Sequence, residues 1–154
     1  MKILVDADAC PVKKIIVKTA KKYGIPVTML IDTSHVLEDG YSTVITVDKG
    51  RDSADFRLVN LIEPGDLVVT QDFGVAAMSL SRGASALNQN GMVYSDNNMG
   101  RLLFERALGQ KVRRAGGRMG KNRKRTADDD ASFERGLVRL IDRAKQSEGI
   151  GNHG

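Results

Sequence analysis

Short β-type runs alternate with stretches of helical spacing through the first half of the chain, and this alternation constrains the fold more than any other feature. KILVD, at residues 2–6, is a brief apolar run of the kind that forms a buried strand. Over residues 11–23, Val12, Ile15, Ile16, Ala20 and Tyr23 form the stripe of an amphipathic helix, with Pro11 in its first turn. Gly24 suits its end, and Pro26 bars its continuation. Residues 27–31 and 43–47 read as strands joined by a polar connection that holds Asp39-Gly40. A helix over about residues 53–62 stops at Pro64-Gly65, and residues 67–70 form a further strong β run. The next helix spans residues 74–81 and ends at Arg82-Gly83. Strands separated by helices predict a mainly parallel sheet covered by helices on both faces.

The second half is organised differently. Residues 84–87 and 92–94 flank Asn90-Gly91, a strong turn signal, which predicts two short edge strands. Met99, Leu102, Leu103 and Ala107 give residues 99–108 a helical period. Thr126 and Asp129 have the spacing to cap a last helix carrying Phe133, Leu137, Leu140, Ile141 and Ala144. The expectation is a single α/β domain over residues 1–148, with its core in about 1–98, a basic helical extension over about 99–148, and a frayed tail at 149–154. A chain of 154 residues can bury such a core without a disulfide or metal staple. Its one cysteine, Cys10, excludes a disulfide framework and a cysteine zinc site. No apolar run approaches the ~18 residues of a membrane helix. Asp6 falls where a signal-peptide core would need to be apolar, so the expected location is cytoplasmic, with no membrane partner.

Charge divides the chain. Residues 1–98 hold 10 Lys/Arg and 12 Asp/Glu, whereas residues 99–154 hold 14 and 7. Lys111, Arg113, Arg114, Arg118, Lys121, Arg123, Lys124 and Arg125 stand in a stretch without a single acid. Such a run is either a solvated tail or a surface for a polyanion, here nucleic acid, with RNA ahead of DNA. The glycines of residues 116–125 make that stretch the expected mobile segment. With aromatic residues at 5% and no Trp, backbone contacts through Lys and Arg are expected to dominate over base stacking.

The acids of the first half fall at strand and helix ends. Asp6 and Asp8 lie two apart at the end of the first strand, so both can point to one side. Asp72 follows another strand in VVTQD, while Asp52 and Asp55 open a helix one turn apart. In a parallel sheet all of them arrive at the carboxyl edge, where ligands of open α/β folds bind. Clustered carboxylates repel, and a hard cation such as Mg²⁺ or Mn²⁺ relieves that repulsion and can activate water for phosphodiester cleavage. Each acid also has a local alternative: Asp8 or Asp52 as a helix cap, Asp66 in the turn at Pro64-Gly65.

The segments VDADACPVK, RDSADFRLV and GDLVVTQDFGVAAMSLSRGA resemble the YaiI/YqxD family of bacterial proteins over roughly residues 2–145. That family's pattern is in turn similar to PIN-like nuclease domains, three-layer sandwiches with an acid after the first strand, an acid opening a helix, and T-x-D after a later strand. The resemblance implies metal-site and catalytic roles for Asp6, Asp55 and Asp72, with Asp8 as an added neighbour and Asp52 as the alternative to Asp55. It makes the expected activity a divalent-metal-dependent nuclease.

Two other readings compete. Asp6-Ala7-Asp8-Ala9-Cys10 also resembles the start of haloacid dehalogenase-type phosphatases, with Asp6 as nucleophile, Asp8 as acid/base, and Thr33 or Ser34 with Asp66 or Asp72 in the remaining roles. Cys10 stands where those enzymes have Thr or Val, and Pro11 leaves no room for their flap. The second alternative is a non-catalytic RNA-binding module. Cys10 is expected to be a small buried residue rather than a nucleophile, since Ile16 stands where a C-x₅-R phosphatase needs Arg. GGRMGKN has the wrong glycine spacing for a phosphate loop, and His35 and His153 suit neither a triad nor a zinc site.

Overall fold

A computed structural model describes residues 1–32, 37–48, 53–114 and 124–151. The chain runs β1 (Ile3–Asp6), α1 (Lys13–Tyr23), β2 (Val27–Asp32), β3 (Thr43–Val47), α2 (Ser53–Leu61), β4 (Leu67–Val69), α3 (Phe73–Ser81), β5 (Ser85–Leu87), α4 (Asp96–Arg114) and α5 (Ala127–Gly151). The five strands form one sheet in the order β3-β2-β1-β4-β5, and every neighbouring pair is parallel. This is the three-layer α/β arrangement expected from the alternation.

Period-two alternation distributes the central strands between two cores. Ile3 and Val5 of β1, Val27, Met29 and Ile31 of β2, and Leu67 and Val69 of β4 face one layer. There they meet Ile16, Val17 and Ala20 of α1, and Phe133, Leu137, Leu140 and Ile141 of α5. Leu4, Leu30 and Val68 face the other layer with Leu58 of α2, Val75 and Ala76 of α3, and Met99 of α4. Each fully buried aliphatic side chain contributes ~1.5–3 kcal/mol. The last helix is thus part of the central core. Its start is a reciprocal cap: the Asp129 carboxylate accepts from Thr126 N–H at 2.9 Å, and the Thr126 hydroxyl accepts from Asp129 N–H at 3.3 Å.

Some boundaries differ from the sequence reading. Helix α1 starts at Lys13, so Pro11 lies before its first turn rather than within it. The segment around Asn90-Gly91 does not form a hairpin of two edge strands. Strand β5 instead pairs in parallel with β4, and Val93 returns only as an isolated antiparallel bridge to Leu87. Helix α4 begins before Met99 and continues into the basic run, while Leu103 and Ala107 stay exposed. Residues 115–123, most of the glycine-rich basic stretch, lie outside the described residues, as do 152–154. Among the described residues, no helix is long and apolar enough to cross a membrane.

Candidate metal and nucleic-acid site

Successive connections run outward from β1 through β2 to β3, then return to β4 on β1's other side. The carboxyl ends of β1 and β4 therefore flank the point where strand order reverses, which opens a crevice in such sheets. Asp6 is the last residue of β1 and is partly buried there. Thr70, just after β4, donates from its hydroxyl to Asp6 Oδ2 at 3.4 Å and accepts on the same oxygen from Asp72 N–H at 3.0 Å. The buried Tyr94 hydroxyl donates to the Thr70 carbonyl at 3.1 Å. The threonine of T-x-D thus ties the end of β1 to the turn that opens α3.

Asp72 caps α3 from an extended backbone, its Oδ1 accepting from Val75 N–H at 2.9 Å, and it remains exposed. Asp8 Oδ1 accepts from Asp32 N–H at 3.1 Å, fastening the β1–α1 connection to the end of β2. Asp55 lies in the first turn of α2. Asp52 falls outside the described residues. Burial pushes the Asp6 carboxyl up to about 6, and the charges of Asp55, Asp8 and, less strongly, Asp72 push the same way against the Thr70 hydrogen bond. The fold therefore brings Asp8, Asp55 and Asp72 within electrostatic reach of Asp6. Among the described residues, no three Asp, Glu, His or Cys side chains stand close enough to enclose a metal ion. The donor chemistry still fits a hard divalent ion, because the groups gathered around the partly buried Asp6 are carboxylate oxygens.

Other candidates sort by position. Asp66 precedes β4 and lies at the opposite, amino edge of the sheet. It is buried, accepts from Lys2 N–H at 3.1 Å, from Lys2 Nζ at 2.6 Å and from Glu63 N–H at 2.8 Å, and so cannot serve a phosphatase site at Asp6. Cys10 is buried, and burial raises its thiol, the opposite of an activated nucleophile. Thr33, Ser34, His35 and His153 lie outside the described residues.

The basic residues are only partly in view. Lys111 is exposed on α4 and Lys124 is exposed before α5. Arg113 and Arg114 end α4, with their side chains outside the description, and Arg118, Lys121 and Arg123 lie outside it entirely. Arg125 has a structural task that the sequence did not signal. It donates from Nε to Asp130 at 2.7 Å, and from its two terminal nitrogens to Asn90 Oδ1 at 2.8 Å and the Gln89 carbonyl at 2.6 Å. Charged hydrogen bonds contribute about 1.5–3 kcal/mol each when shielded, and less on a surface. Arg125→Ala is expected to lower the unfolding free energy by about 2 kcal/mol in urea titrations; an unchanged midpoint would show the clamp to be inconsequential. The sequence reading also passes over the lysines of α1. Lys13, Lys14, Lys18 and Lys21 line a groove with Leu37, Glu38 and Asp39, a signal present in the sequence beside the apolar stripe.

A family model described as "Uncharacterized BCR, YaiI/YqxD family" matches residues 4–143. The chain belongs to the YaiI/YqxD family. Relatives of YaiI/YqxD type resemble it along nearly their whole length. A UPF0178 protein of Ruminiclostridium cellulolyticum is 66% identical over 149 residues, covering 97% of this chain and 96% of that protein. One from Alkaliphilus oremlandii is 54% identical, covering 92% of each, and one from Clostridium acetobutylicum is 50% identical, covering 94% and 99%. Among solved structures, Rae1 (YacP) from Bacillus subtilis, as its W164L mutant, is similar at 17% identity over 96% of this chain and 99% of that one. The TM-score of that pair is 0.44.

Proposed function

We propose that this YaiI/YqxD protein hydrolyses phosphodiester bonds of nucleic acid, RNA in preference to DNA, with Mg²⁺ or Mn²⁺ held at Asp6 and, directly or through the waters such an ion keeps, at its neighbours Asp8, Asp55 or Asp52, and Asp72. The observation that carries this reading is the delivery of acids from β1, the β1–α1 connection, α2 and the β4–α3 turn to one edge of a parallel sheet, at its switch point. A bound ion of this kind lowers the pKa of water and offsets charge on the leaving oxygen. Asp6, held by Thr70, is the central ligand. Asp72, fixed as a helix cap through Oδ1 and exposed to solvent, stands in the turn at the carboxyl edge. Asp8 and Asp55 flank Asp6 and add the negative charge that makes a cation favourable. The basic residues bring a polyanion to a site whose own sign repels it.

Incubating the protein with labelled single-stranded RNA, single-stranded DNA and a small phosphate monoester, with Mg²⁺, Mn²⁺ or chelator, separates the reaction classes. Metal-dependent shortening of RNA supports the proposal. Phosphate released from the monoester alone favours the phosphatase reading, and binding without cleavage under any metal favours a binding module. The basic run has its own signature in salt. About five contacts to single-stranded RNA give log affinity a slope near −3.5 against log salt, from ~0.7 per phosphate. Replacing Arg123 and Lys124 together by Ala should flatten that slope by about 1.4, without the structural cost of removing Arg125. An unchanged slope would reduce the run to a solvated tail.

A further inference from the structure

Helices α2 and α3 lie side by side on one face of the sheet, and both start at the carboxyl edge. Between them runs an open groove of about 480 Å³. Its upper end is formed by Asp55, Asp72 and Gly74, a residue with no side chain to fill the space. Val59 and Val75 line its middle, and Asn60 and Arg82 complete it. Phe56 and Met78 also line it, yet they remain 71% and 42% exposed. An apolar cleft with a few polar groups converging on it is the usual form of a ligand site.

We infer that this groove is a base-binding subsite: it takes an unpaired base of a single-stranded nucleic acid whose neighbouring phosphate lies at the acidic edge. The inference rests on the hydrolase reading for the identity of that phosphate. The case for a base is one of complementarity. The Phe56 ring offers a flat apolar face, on which any base can stack. The Asn60 amide carries both a donor and an acceptor, as the edge of a base does. Arg82 lies ten residues along α3 from Asp72, ~15 Å by helical rise, and brings a cation to the end of the groove away from the acids. A second copy of the chain would satisfy the apolar middle but would leave that separation of charge without a purpose. Among the described residues two phenylalanines are largely exposed, Phe56 in this groove and Phe104 on α4, and of the two Phe56 lines the groove that Asp55 and Asp72 close.

The test uses Asp6→Asn protein as the background, so that no cleavage disturbs binding. Fluorescence anisotropy compares a short single-stranded oligoribonucleotide with the same strand made abasic. The natural strand is expected to bind about tenfold more tightly. Adding Phe56→Ala should erase that advantage while leaving the abasic affinity unchanged, and Phe56→Trp should keep it. Adding Arg82→Ala should weaken both strands and flatten the salt slope by about 0.7. Equal binding of the two strands, or an advantage that survives Phe56→Ala, overturns the subsite. So does a dimer in sedimentation that Phe56→Ala dissociates, since the groove then belongs to a second copy. The hydrolase reading is judged separately on the wild-type protein: metal-dependent cleavage with no base advantage refutes the groove alone, and a base advantage with no cleavage refutes the hydrolase alone.

Discussion

Replacing Asp6 by Asn is expected to stabilise the metal-free protein at neutral and mildly alkaline pH by about 2 kcal/mol, against the usual direction for a change at a partly buried polar position. The Asp6 carboxyl ionises near its ordinary value of 3.8 in the unfolded chain and at about 6 in the folded one, because burial and then the charges of Asp55 and Asp8 disfavour the anion. Between these values the folded state holds a proton that the unfolded state has lost. Stability from this group is therefore full below about pH 4, falls as pH rises through 6, and stays low above it. The unreduced shift corresponds to about 3 kcal/mol, and the partial exposure of Asp6 lowers that figure. Asn keeps an oxygen that can accept from Thr70, so the local hydrogen bond survives. Urea titrations in chelator at acid and alkaline pH check this. Wild type should lose stability across the window and Asp6→Asn should lose less, whereas parallel behaviour of the two proteins would show that Asp6 is not strained by its neighbours.

Gly91 and Gly136 are expected to be the most intolerant positions outside the site. The Gly91 backbone has φ +85°, and a Cβ there would stand 2.3 Å from the Ser132 carbonyl oxygen and 2.9 Å from its carbon. A Cβ at Gly136 would stand 2.7 Å from the Gly91 carbonyl oxygen. These obstacles are backbone atoms, so relief requires α5 to move away from the turn that Arg125 and Ser132 fasten. Alanine at either position should cost about 3 kcal/mol or more, by analogy with overpacking in a core. At Gly91 the strain of a positive φ adds to this. Thermal melts of the two variants check the contact, and near-wild-type midpoints would contradict it.

The layered fold was legible because its signals are local. The β runs, the stripe of α1 and the Thr126–Asp129 cap each depend on residues a few positions apart, and each reappears in the structure. The gathering of Asp6, Asp8, Asp55 and Asp72 followed from topology, once strands separated by helices implied a parallel sheet. What sequence could not convey is contact across long separations. The Gly91–Gly136 approach, the Arg125 clamp and the Lys2–Asp66 pair each join segments whose neighbourhood exists only after folding. Asn90-Gly91 reads locally as a hairpin turn, but its glycine serves to admit a helix, and the second strand is reduced to one bridge. The α2/α3 groove was hidden for the same reason, since neither helix alone reveals that Phe56 and Arg82 line one channel.

The carboxylates around Asp6 are proposed to form a metal-dependent hydrolytic site. The most direct test is the rate of cleavage of labelled single-stranded RNA by wild type and by Asp6→Asn, with Mg²⁺ or Mn²⁺ and with chelator, after circular dichroism has shown both proteins folded. Wild type is expected to cleave only with metal, and Asp6→Asn to lose activity on the order of a thousandfold, the scale on which preorganised electrostatic groups act. Cleavage that persists in chelator, or equal metal-dependent rates in the two proteins, would contradict the proposal.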